Sequence, residues 1–167
     1  MNLESLSVLL LPKQPCCVRT VHSHSDVTDS LLLFRQKHPG LVISFLRGKK
    51  MTTVQGLFDE FAAALQFPYY FGNNANAFDE CLADLSWLPA KMYALVIFDS
   101  ADFLVKEPTQ LPPFIDAFER ICAEWRLDAL RGPKGVPAGT AFYHRDTEAQ
   151  RKRKMQMAFL CVSVTLW

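Results

Sequence analysis

Three apolar runs without polar alternation stand out along the chain, at residues 41–46, 93–98 and 158–166. Runs of that length, rich in β-branched and aromatic residues, are the pattern of strands buried on both faces of a parallel sheet. Between them the apolar positions change period. Val54, Leu57, Phe58, Phe61 and Leu65 recur at helical spacing after Thr52 and Thr53, either of which can cap a helix, and Pro68 ends the pattern. Phe78, Cys81, Leu82 and Leu85 fall at i, i+3, i+4 and i+7, which predicts a second helix starting near Ala75 and closed off by Pro89. Phe114, Ile115, Phe118, Ile121, Cys122 and Trp125 make a third stripe, in a helix opened by Pro112-Pro113 and running to about Leu127. Proline suits that start, because it lacks only a donor that would be orphaned there anyway.

The flanks are less periodic. Residues 7–11 and 17–22 are predicted as short strands around a turn at Pro12 and Pro15. Val27, Leu31 and Phe34 then put a helix over residues 26–37, stopped by His38-Pro39-Gly40. Residues 1–40 are either an N-terminal extension or an additional layer. Residues 99–107 are polar enough for a loop with one helical turn. From Arg131 to Gly139 the chain becomes a Gly/Pro loop that lacks the Gly-Lys-Ser/Thr of a phosphate-cradling loop, and residues 146–154 are polar and basic. The order strand, helix, helix, strand, helix, strand predicts an α/β layered domain over residues 41–167, with a loop inserted at about 128–157. Its sheet would be small, parallel and three-stranded, so the packed helices must supply much of the burial.

Composition narrows the class. The 167 residues suffice for one ordinary domain with a real core, and 50% hydrophobic against 21% charged residues excludes a disordered chain. The apolar runs fall well short of a membrane span, and Met-Asn-Leu-Glu-Ser-Leu lacks the basic start of a signal peptide, so a soluble cytoplasmic protein is expected. Five cysteines at irregular spacing form no C-x-x-C pair, and the four histidines form no ligand motif with them. No metal or cofactor is expected. His22 and His24 read as surface loop. Cys81, the one tempting nucleophile, sits on a predicted buried stripe with no histidine nearby in sequence, so no enzymatic role is expected.

Charge changes the picture more. The formal net charge is +1, but residues 41–127 carry seven Lys or Arg against eleven Asp or Glu, while residues 128–167 carry seven against three. An acidic middle suits a basic partner, through complementary fields. The run Arg151-Lys152-Arg153-Lys154 reads as a solvated face, and direct nucleic-acid binding is not expected.

Residues 67–89 bring these threads together. Gly72 permits a turn after three aromatics, Asn73-Asn74 can cap the helix that follows, and Asn76, Asp79, Glu80 and Asp84 are left facing outward. A Tyr-rich loop feeding a helix with an acidic exposed face suits a surface that is docked upon. The run from Pro68 through Leu82, with Tyr70, Phe71, Gly72, Asn74, Ala77, Phe78 and Cys81 in place, resembles the signature of the barstar family of intracellular inhibitors of barnase-type ribonucleases. The strand and helix order resembles that fold over about residues 41–127 and the last strand. The resemblance implies a barstar-like fold and a protein that plugs a basic ribonuclease, or another nuclease toxin, with this loop and helix. It implies a partner-binding set of Tyr70, Phe71, Gly72, Asn74, Asn76, Asp79, Glu80 and Asp84, with Glu80 at the central acidic position. Asn76 stands where the family has an acid, Asp79 replaces a bulky apolar contact, and Glu119 and Arg120 lie near a distal acidic contact. The alternative is a module for another basic protein on the same scaffold.

Overall fold

Strands β2 (Leu41–Arg47) and β3 (Met92–Phe98) pair in parallel with Leu41 opposite Met92 and Arg47 opposite Phe98. Residue parity then decides which face each side chain serves. Leu41, Ala94 and Val96 pack under Val27, Leu31 and Phe34 of helix α1 (His24–Lys37). The other parity, Leu46, Tyr93, Leu95 and Ile97, packs against the remaining helices in a second and larger cluster. These are α2 (Val54–Leu65), α3 (Ala75–Asp84) and α4 (Leu111–Arg131). The chain is described by a computed structural model over residues 17–21, 24–131 and 156–163, with side chains over residues 24–125.

The class is α/β, as expected, but the sheet has four parallel strands rather than three. Its order is β1-β4-β3-β2, with β1 (Cys17–Val21) paired to β4 (Gln156–Ser163) and β4 paired to β3. The added strand comes from the first forty residues, and so does α1, which covers the second face of the sheet. His24 is not in a loop: it opens α1, stacks on Phe98 and lies 3.5 Å from Asp99. Helix α4 begins at Leu111, placing both prolines in its first turn, and extends to Arg131. Together with the start of β4 at Gln156, this trims the expected loop at about 128–157 from both ends. The expected strand at residues 7–11 and the basic run at 151–154 lie outside the described residues. No helix among the described residues is long and apolar enough to cross a membrane.

Two tight features join β2 to its neighbours. A Cβ on Gly48 would stand 2.2 Å from the Asp99 carbonyl oxygen, so only glycine allows the exits of β2 and β3 to approach this closely. On the free edge of β2, the backbone N–H and Nε of Arg47 both donate to Glu60 Oε1, at 2.9 and 2.8 Å, and Nη2 donates to Oε2 at 2.8 Å. Glu60 is buried, and the Arg47 fork holds its carboxyl below the usual carboxylate range. A depressed folded pKa gives stability that is fully present above the unfolded carboxylate value of about 4.3 and is lost as pH falls through the folded value. Glu60→Gln is therefore expected to lower stability at neutral pH and to flatten the stability curve across that acid window. Since the Arg47 head reaches water, the neutral-pH loss should be only about 1 kcal/mol. Urea denaturation as a function of pH measures both, and an unchanged acid slope would count against the linkage.

Candidate functional site

Helix α2 ends on Gln66 in a left-handed conformation, and the Phe67 N–H turns back to the Ala62 carbonyl at 2.9 Å. The loop that follows divides its aromatic residues between anchoring and display. Phe67 and Phe71 pack edge to face with ring centroids 5.0 Å apart, and Phe67 also meets Trp87. Tyr69 is fully exposed and Tyr70 is 61% exposed, their rings in T-shaped contact at 5.6 Å. Both phenols lie in the loop that enters α3, and burying such rings is energetically rewarding when a partner covers them.

The turn into α3 works differently from the sequence expectation. The left-handed residue is Asn73, at φ 47°, and not Gly72. A Cβ on Gly72 would instead lie 2.9 Å from Asn74 Nδ2, the amide that donates to the Gly72 carbonyl at 3.1 Å. Asn74 Oδ1 in turn accepts the Ala77 N–H at 3.0 Å and caps the helix. Asn74 thus spends its side chain on holding the loop to α3. Asn74→Ala is expected to lower stability by about 1 kcal/mol, and Asn74→Asp to retain most of it, as read from urea midpoints. No loss in the alanine variant would show that the cap is not what sets this turn.

Below the cap, Phe78, Cys81 and Leu82 are buried, and Leu85 closes the helix in a left-handed conformation with its N–H on the Cys81 carbonyl. On the outer side stand Asn76, Glu80 and Asp84, all exposed. Glu80 has no hydrogen-bond or ion-pair partner among the described residues, and Asp84 accepts from the Ser86 hydroxyl at 2.9 Å. Asp79, expected as a presented charge beside Glu80, is held by Arg120 of α4, which also reaches Glu124 at 3.4 Å. Of the two α4 residues near the expected distal contact, Arg120 therefore brings a positive charge to this face. Tyr70, Phe71, Ala77, Glu80, Cys81, Asp84 and Trp87 line one open cleft of about 90 Å³. Within it, burial and then the Asp84 and Glu80 charges push the Cys81 thiol up. Burial and then Cys81 and Asp84 push the Tyr70 phenol up. A buried thiol held protonated is a poor nucleophile.

The structure thus gathers Tyr70, Phe71, Glu80 and Asp84 around the cleft, with Asn76 on the first turn of α3 and Gly72 and Asn74 as its scaffold. Three residues were missed from the expected set. Tyr69 could have been suspected as one of adjacent tyrosines. Trp87 lies three residues past Asp84, beyond the helical stripe, and Arg120 comes from 41 positions after Asp79. No cluster of three or more His, Cys, Asp or Glu side chains that could hold a metal occurs among the described residues. A family model described as Barstar (barnase inhibitor) matches residues 42–136, more than half of the chain and all of this face. No curated protein sequence matches the chain.

Proposed function

Because the chain belongs to the barstar family, we propose that it is a protein inhibitor that binds a microbial ribonuclease in the cytoplasm of the producing cell and blocks its active site with the residue 67–74 loop and α3. The observation that carries this reading is Glu80, an exposed and unpaired carboxylate on a helix locked from beneath. A ribonuclease holds RNA phosphates with Arg, Lys and His, and a rigid carboxylate can take a phosphate's place through short charge-assisted bonds. The net negative charge of residues 41–127 would steer such a basic partner toward this face. Tyr69 and Tyr70 would be covered alongside it. Nothing in the reading calls for chemistry by this chain, a cofactor or a metal.

Asn76 is neutral and Asp79 is held by Arg120, so this face offers fewer free carboxylates than four outward-facing residues suggested. That observation favours a second reading, a module for another basic protein or toxin without nuclease activity. Titration of the purified chain into RNA-cleavage assays with a panel of barnase-type ribonucleases separates the two. Stoichiometric loss of cleavage supports the first reading. An entirely uninhibited panel, with a pulled-down partner that lacks nuclease activity, supports the second.

A further inference from the structure

The cleft beside Glu80 has a chemistry of its own. Tyr70, Phe71 and Trp87 give it aromatic surface, and the Trp87 ring is fixed because its indole N–H donates to the Leu65 carbonyl at 2.9 Å. Glu80 and Asp84 stand one turn apart on α3 and both contribute to its lining. Asp84 is the last residue of α3, where the helix dipole is negative, and no basic residue in the last turn offsets it. An acid so placed is unfavourable for the helix alone and favourable once a cation arrives. The volume of about 90 Å³ is far below the ~300–1,000 Å³ of pockets that enclose small-molecule ligands, and suits the end of one side chain.

We propose that this cleft receives an arginine side chain of the bound partner, its guanidinium lying on the aromatic surface and donating to the Glu80 and Asp84 carboxylates. Arginine is favoured over lysine because its planar head stacks on rings and forks onto carboxylates, whereas an ammonium is a strongly hydrated point charge. The inference rests on this face being a protein-docking surface, and it adds what the partner must present there. It also gives Asp84 and Trp87 a role separate from that of Glu80 alone.

The test needs no ribonuclease. Nα-acetyl-L-arginine amide is titrated into the ¹⁵N-labelled full chain while the Trp87 indole N–H resonance, assigned with Trp87→Phe, is followed. Nα-acetyl-L-citrulline amide serves as the neutral probe of similar shape. A saturable shift with the arginine probe, none with citrulline, and about fivefold weaker binding in Asp84→Asn are expected. Absence of a shift, equal response to citrulline, or unchanged affinity in Asp84→Asn would overturn the proposal. Arginine binding by a chain that inhibits no ribonuclease would uphold the cleft and remove the ribonuclease reading. Inhibition without arginine binding would do the reverse.

Discussion

Glu80→Ala is expected to weaken inhibition of a cognate ribonuclease by about 2–5 kcal/mol, roughly 30-fold to several-thousand-fold in inhibition constant. Asp84→Ala should cost about 1 kcal/mol or less. The difference follows from place. Glu80 projects without an internal partner from the middle of α3, whose inner side is fixed by Phe78, Cys81 and Leu82. Its carboxylate is already oriented before binding, and an arginine-lined phosphate site left without it would keep uncompensated charge. Asp84 stands at the helix end, shares its oxygen with the Ser86 hydroxyl and remains open to water. Much of the loss in Glu80→Ala should appear in the dissociation rate, with the loss of long-range steering visible as a weaker salt dependence of association. Glu80→Gln keeps the shape without the charge and should retain little of the affinity. Inhibition constants from RNA cleavage, with circular dichroism confirming the fold, give the comparison. Equal losses from Glu80→Ala and Asp84→Ala would remove Glu80 from the centre of the interface.

How much of this was readable beforehand depended on whether the deciding contacts were local. Strands β2 and β3 were legible because they are buried on both faces, so their apolar runs needed no partner to be recognised. Helices α2 and α3 were legible from their stripes, and the Thr53 and Asn74 caps follow from side chains that reach only three residues forward. Strand β1 was not. Cys-Val-Arg-Thr-Val becomes part of the sheet only by pairing with β4, about 140 residues later, and five residues alone do not distinguish a strand from a loop. The same limit explains Asp79. Four acidic or amide side chains on the outer side of α3 look equivalent in sequence, and a contact to Arg120 on another helix separates them. At the turn before α3, glycine was assigned the left-handed position by its propensity, but asparagine took it and glycine made room for the Asn74 amide.

Phe78→Ala should have the largest effect on the fold itself, a loss of about 3–5 kcal/mol in unfolding free energy. Phe78 is fully buried at the place where the candidate site meets the core. Its ring lies 5.3 Å from Phe58, 5.1 Å from Phe61 and 5.9 Å from Phe114, with Phe67 and Phe118 just beyond. One side chain therefore ties α3 to α2, to α4 and to the aromatic loop, and truncation leaves a cavity that three helices would have to close. Against a typical total of 5–15 kcal/mol for a single domain, such a loss is large. The consequence reaches function through Glu80, two positions along the same helix. Once its anchor is gone, α3 can shift or fray, and a carboxylate that must sit within an ångström of its target loses its orientation. Phe78→Leu preserves much of the volume and should cost less than half as much, with inhibition largely retained. Denaturant midpoints and inhibition constants measured on both variants test the chain of cause: stability and inhibition should fall together in Phe78→Ala and recover together in Phe78→Leu. A Phe78→Ala variant that loses stability but inhibits as well as the parent would show that Glu80 is held by something other than this core.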